Sequence, residues 1–395
     1  MDISNYFSPI DIDRYGFFES NIELLGHIIA SYNTNGNFPA LSQSIDIAIF
    51  SVEEQRGNKD NQGCALAPEA IRKYLYNLTL PHKSIKIVDL GNVIIGNTLA
   101  DTYIAVGEVV AQLLQMKIIP LILGGSQDIT YGNYHGYELL GQIINVFNVD
   151  SKIDLGVVKD SNEVTAQSYL TNMMCSEPNY LFNYTQIGFQ TYFIDRKALN
   201  MLEDLYFDCY RLGVVQKDIE VVEPLVRNAD MVTIDMSAVR QSDAPAAGYP
   251  SPHGLYGEQL CQICRYAAMS DKLTSIGFYE MNPRYDNRGQ TAALVAHAIW
   301  YFIDGYLWRK NDFPYLDTEN YFKFVVLINE GSSEIVFYKS KKSERWWMEV
   351  PCSKDLKQKY RRHYLVPCSY GDYRTAAEDN KIPDRWFKTY NKISI

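Results

Sequence analysis

The sequence predicts a three-layer α/β/α domain built on a mainly parallel sheet, with a small β-rich extension at its C-terminal end. Three observations carry this. Seven short apolar runs rich in β-branched residues recur between residues 45 and 282, and amphipathic helical patterns lie between most of them. Strands that are apolar on both faces and alternate with helices belong in a parallel sheet covered by helices on both sides. Beyond residue 320 the spacing changes to consecutive strand-like runs, the first two joined by the Gly-containing NEGSS.

Taken in order, residues 1–44 form an N-terminal helical extension, with a helix over NIELLGHIIASY (21–32) and a polar NTNGN loop after it. The strands follow as IDIAIF (45–50), SIKIVDLG (84–91), KIIPLILGG (117–125), INVFNVD (144–150), YTQIGF (184–189), ADMVTIDM (229–236) and LTSIGFYEMN (273–282). Helical patterns occupy 67–78, 101–115 and 289–307, and these elements set the α/β domain at 45–312. Residues 313–395, with YFKFVVLI, SSEIVFYKS and RWWMEV as strands, form a basic, aromatic C-terminal module. Functional groups in such a sheet gather outside the carboxyl ends of its strands.

A chain of 395 residues that is 47% hydrophobic and 21% charged is globular and large enough for a sizeable core. No run of about 18 apolar residues is present, so no membrane insertion is expected. The start MDISNYFSPIDIDRYGFF lacks the basic and apolar regions of a signal peptide, which points to the cytoplasm. Seven scattered cysteines argue against a disulfide framework, and Cys261 and Cys264, although spaced CxxC, sit in the helical pattern GEQLCQICRYAAMS as buried thiols.

The net charge of −10 is unevenly spread. Residues 321–395 carry 15 Lys+Arg against 9 Asp+Glu, whereas residues 1–320 carry 22 against 38. RWW (345–347), KYRRHY (359–364) and RWFKTYNK (385–392) mix cations with aromatics, but no recognition motif accompanies them and no nucleic acid is expected. They suit a solvated face, or a surface through which the module meets a protein partner or a second copy.

Three strands end in polar clusters: GGSQDITYG (124–132), NVDSKIDLG (148–156) and TIDMSAVRQSDAPA (233–246). In extended backbone Asp150, Lys152 and Asp154 project to one side. Bringing Asp235 alongside gathers three carboxylates, an arrangement that needs a cation because like charges in a partly desolvated crevice raise one another's pKa.

With a Gly-rich segment leading to APEAIR, then LILGGSQD, NVDSKID, TIDMSAVRQSDAP and GFYEMNP in that order, the chain resembles the ureohydrolase family over roughly residues 45–310. The likeness is to arginase, agmatinase and especially formimidoylglutamase. It implies an arginase-like three-layer fold with two manganese ions at the strand ends, whose bridging hydroxide attacks an amidine or guanidinium carbon. The match at the ligands is incomplete. Gln127 stands where the family has its first histidine ligand, with Ser126 for an aspartate and Asp128 for a serine. Asp150 and Asp154 are retained, with Lys152 replacing the histidine between them. Asp235 is retained, and Ser237 stands for the aspartate two residues on. The family's catalytic histidine has no counterpart in SNEVTAQSYL (161–170).

Gln127, Asp150, Lys152, Asp154, Asp235 and Ser237 read as a vestigial metal site. No cofactor is expected; manganese, if the site still works, would be held by Asp150, Asp154 and Asp235. Lys152 lacks an acceptor and carries positive charge, so it is expected to act as an internal counter-ion for the three carboxylates, helped by Arg240, a protonated carboxyl or a weakly held cation. Glu280 matches the family's substrate-facing acid and could hold a cationic ligand, or pair with Arg284 or Arg288. Asp243 is a second candidate for the lost ligand, while His135 and His253 either approach the crevice or are ordinary surface histidines. Three functions follow: a catalytically inactive binding or scaffold protein, an active manganese-dependent hydrolase of linear amidine or guanidino C–N bonds, or a structural subunit of a larger assembly.

Overall fold

The computed structural model describes residues 2–16, 23–156, 164–314, 319–328, 331 and 333–394. Its strands are β1 (Phe7–Ser8), β2 (Ala30–Ser31), β3 (Ile47–Val52), β4 (Ile87–Val93), β5 (Ile119–Gly124), β6 (Ile144–Val149), β7 (Leu181–Phe189), β8 (Asp208–Arg211), β9 (Met231–Asp235), β10 (Ser275–Tyr279), β11 (Tyr321–Ile328), β12 (Ser333–Ser340), β13 (Trp346–Glu349) and β14 (Leu365–Cys368). The first ten form one sheet in the order β1-β4-β3-β5-β10-β9-β6-β7-β8, with β2 alongside β4. Every pair is parallel except β1 on β4.

Strand alternation explains the layers. Ile47, Ile49, Leu121, Leu123, Phe147 and Val149 pack into one core with helices Ala67–Leu75, Gly257–Ala268 and Gln290–Tyr306. Ala48, Phe50, Val52 and Ile122 point the other way, onto helix Leu99–Gln115. Ile144 and Val146 share that second face with Tyr134, Tyr137 and Tyr169. The three-layer α/β/α prediction therefore holds. The chain leaves β5 for β6 and later returns to insert β9 and β10 between them, which opens a crevice at the carboxyl ends of β5, β10, β9 and β6.

The N-terminal segment differs from expectation. Its helix is a single turn, Leu25–Ile28, followed directly by β2, and residues 17–22 lie outside the described set. An edge strand is the reason: Tyr32 N donates to Asp89 O at 2.8 Å, so the chain extends β4's ladder instead of coiling.

β11 to β14 form a separate antiparallel sheet in sequence order, as the strand runs suggested, although the NEGSS turn falls largely outside the described residues. Three helices complete this part, Lys354–Lys359, Tyr370–Ala377 and Asp384–Ser394, and RWFKTYNK lies in the last of them.

The basic segments meet the chain's own acidic residues. Arg345 pairs with Glu223 at 3.2 Å, Arg362 with Asp230 at 2.6 Å and Lys388 with Asp208 at 3.5 Å, while a His363 nitrogen contacts Ile143 O at 3.1 Å. Ile143, Asp208 and Asp230 stand at the amino ends of β6, β8 and β9. The unequal charge along the sequence thus marks an internal contact at the end of the sheet opposite the crevice.

Candidate functional site

Two strand ends turn by the same device. Asp150 Oδ1 accepts from Lys152 N at 3.0 Å, and Asp235 Oδ1 accepts from Ser237 N at 2.6 Å. An aspartate that bonds the backbone two residues on bends the chain, so neither segment stays extended. The bends also join β6 to β9: Ser237 Oγ donates to Asp150 Oδ1 at 3.2 Å and lies 3.0 Å from Ser151 Oγ.

This geometry corrects the role expected of Lys152. Its Nζ lies 3.4 Å from the centre of the Tyr249 ring, and no ion pair joins it to Asp150, Asp154 or Asp235 among the described residues. Because the chain bends after Val149, Lys152 leaves the side on which an extended strand would have kept it. A π face takes the charge instead. Arg240 does not neutralise the cluster either: it pairs with Asp243 at 2.9 Å and lies over the Tyr256 ring.

The three carboxyls consequently have no directly paired cation among the described residues, although the Lys152 charge still acts on Asp154 from a distance. Asp150 and Asp154 face each other, and each raises the cost of ionising its neighbour. Burial, then the charge of Asp154, pushes Asp150 well above the usual carboxylate range. Burial and the charge of Asp235 raise Asp154 to about 8, and Asp235 is raised well above its ordinary value by burial and Asp150. Asp150 Oδ2 is buried without a hydrogen-bond partner.

Glu280 is built in more completely. It follows β10 at φ 63°, and its Oε2 accepts from Asn58 Nδ2 at 2.8 Å and Asn61 Nδ2 at 2.7 Å, while Oε1 accepts from Gln127 N at 2.7 Å. Burial still raises its pKa against these bonds. Among the described residues neither Arg284 nor Arg288 forms an ion pair with it, so that alternative for Glu280 is not seen. Three N–H groups already bond its two oxygens, and Arg284 reaches toward Gln62 O instead.

Gln127 turns its amide to the row beneath the crevice, where Nε2 donates to Thr233 Oγ1 at 2.9 Å, leaving Oε1 buried and unpartnered. Ser126 N donates to Glu54 O. Asp128 accepts from Tyr103 OH at 2.6 Å, and burial lifts its carboxyl to about 6. A Cβ on Gly57 would come 2.1 Å from Asp128 Cγ, so only glycine lets the loop bearing Asn58 and Asn61 settle here.

Other sequence candidates lie elsewhere. Asp243 holds Arg240 and accepts from Gly257 N at 2.9 Å at the start of a helix, beside a surface cavity of about 860 Å³, so it does not replace the ligand at Ser237. His135 pairs with Glu138 on its own helix, and His253 is exposed. Cys261 and Cys264 are buried free thiols. Residues 161–163 of SNEVTAQSYL fall outside the described set.

Sequence reasoning missed Asn58, Asn61, Tyr249 and Gln167. Tyr249 OH joins Gln167 Nε2 at 3.2 Å above the crevice. The only forewarning was the amide-rich RGNKDNQG preceding APEAIR.

Among the described residues no three His, Cys, Asp or Glu side chains converge to hold a metal ion. A mainly parallel α/β/α sheet with an acidic crevice at its switch point defines a doubly wound α/β domain whose functional groups gather at these strand ends. The arginase family profile matches residues 45–304, and the chain belongs to that family.

Among relatives, the formimidoylglutamase of Citrobacter koseri is 28% identical over 280 residues, covering 67% of this chain and 86% of that protein. That of Clostridium tetani is 25% identical over 277 residues, covering 63% and 78%. In three dimensions the chain is similar to Trypanosoma cruzi formiminoglutamase with Mn2+ (TM-score 0.65, 17% identity, 73% of this chain and 100% of that one). It is equally similar to Bacillus subtilis formimidoylglutamase (TM-score 0.65, 18% identity, 76% and 99%). No helix among the described residues is long and apolar enough to cross a membrane.

Proposed function

We propose that this arginase-family protein is a catalytically inactive member that uses the crevice to bind a small polar ligand. One observation carries the reading. Three ligand positions of the resembled motif have other employment: Gln127 bonds Thr233, Lys152 lies on Tyr249, and Ser237 bonds Asp150. The residues present do not fit a manganese pair. Two ions about 3.5–4 Å apart need bridging anions and, in the resembled family, imidazoles; here a carboxamide and an ammonium stand at the imidazole positions.

A ligand is supported by unused acceptors. Asp150 Oδ2 and Gln127 Oε1 are buried with no partner, and buried polar groups in native proteins are ordinarily satisfied. An occupant of the crevice with an N–H or O–H donor would complete Asp150 Oδ2. The basic C-terminal module already pairs within the chain, so a role as scaffold or partner-binding surface rests on its remaining exposed face.

The second reading, a manganese-dependent hydrolase of amidine C–N bonds, is favoured by the retained Asp150, Asp154 and Asp235 and by Glu280. Metal analysis of protein purified without chelator, with a formimidoylglutamate hydrolysis assay in added manganese, separates the two. We expect substoichiometric metal and no turnover; stoichiometric manganese with turnover would establish the second reading.

A further inference from the structure

At the amino end of the sheet the last helix places a lysine against an asparagine. Lys392 Nζ hydrogen-bonds Asn183 Oδ1, the oxygen carried by the carboxamide carbon. On the other side of that carboxamide, Asn183 Nδ2 donates to Asp208 Oδ2 at 3.1 Å and to Thr185 Oγ1 at 3.1 Å. The ammonium lies 5.4 Å from the ring centre of Phe182 and 5.6 Å from that of Phe207. Asp208 and Asn183 are buried, and Asp208 is also met by Lys388 Nζ at 3.5 Å.

We propose that Lys392 and Asn183 are joined by an isopeptide bond, formed with Asp208 as proton carrier, which fastens the C-terminal helix covalently to β7. The neutral Nζ attacks Cγ of Asn183 and forms the new C–N bond. Asp208 takes a proton from the attacking nitrogen and passes it to Nδ2, the old C–N bond breaks, and ammonia leaves. An amine and a primary carboxamide become a secondary amide and ammonia, so no oxidant or reductant is needed.

Two features favour the step. Desolvation makes a lysine a better nucleophile, and burial, with the charges of Lys388 and Arg385 opposing that of Asp208, lowers half-buried Lys392 to about 8. Asp208 touches the nitrogen that must leave. A second lysine–asparagine contact shows what is otherwise missing. Lys272 Nζ donates to Asn228 Oδ1 at 3.0 Å, but its neighbour Asp230 bonds Asn145 N, Arg362 and the ammonium rather than the Asn228 amide nitrogen. That pair is expected to stay unjoined.

The test is intact mass spectrometry of the full chain, followed by tandem analysis of its tryptic peptides. We expect a mass about 17 Da below that of the sequence, the loss of one ammonia, and a branched peptide linking Lys392 to Asn183. Lys392→Arg, Asn183→Ala and Asp208→Asn, each checked for folding by circular dichroism, should restore the full mass and lose the branched peptide. A native chain at full mass, or a loss of 17 Da without joined peptides, overturns the bond, and a cross-linked Asp208→Asn overturns the role of Asp208.

Discussion

Asp230 and Asp235 bracket the same strand, β9, and both are buried, yet they meet opposite surroundings. At the amino end, burial works against the charge of Asp230, but Lys272 and Arg362 hold its carboxyl below the ordinary value. At the carboxyl end, Asp235 faces Asp150 with no cation paired to either, and both are pushed up. A buried carboxylate with two cations is structural. Three buried carboxyls with no cation paired to them among the described residues are raised together, and such clustered shifts in a crevice mark a site rather than a core.

The largest effect should come from breaking the satisfied end. Arg362→Ala leaves Asp230, fully buried, with Lys272 alone, and removing one partner of a buried pair costs about 3 kcal/mol or more. Denaturant unfolding measures it; a loss below about 1 kcal/mol would mean that the two ends differ less than their geometry implies.

Next comes pH. Asp154, raised to about 8 when folded from an ordinary value near 3.8, binds more protons in the folded than in the unfolded state between those values. Stability from this group is fully present below pH ~4 and is lost as pH rises through ~8. Asp154→Asn should therefore raise Tm at pH 8 by about 2 °C or more, with little change at pH 4. Asp230 has the opposite sign: its stabilisation is present above its unfolded pKa and is lost as pH falls through the lowered folded value. A Tm gain for Asp154→Asn that is equal at both pH values would break the contrast.

The smallest effect concerns Lys152. As a cation over an aromatic face it contributes about 0.5–1 kcal/mol, so Lys152→Ala should lower stability by that little. A loss of several kcal/mol would reinstate it as the counter-ion of the carboxyl cluster.

The sheet was legible because continuous apolar runs such as IAIFSV and IPLILG are buried on both faces. β8 was not, because DCYR at the sheet's edge carries little apolar signal. The first helix was overread because NIELLGHIIASY has helical periodicity, whereas its last residues pair with β4. At the site, spacing identified Asp150, Asp154 and Asp235 as neighbours but not the bends that aim them. Two Asx hydrogen bonds send Lys152 to Tyr249 and Ser237 to Asp150, and no periodicity reports such a turn. Asn58 and Asn61 were hidden because their partner, Glu280, lies more than 200 residues away in sequence.

Calorimetric titration with manganese of the native chain and of the Gln127→His, Lys152→His, Ser237→Asp triple variant tests the central claim most directly. We expect no saturable binding to the native chain and up to two sites per chain in the variant. Two manganese ions bound by the native chain with micromolar affinity would contradict it.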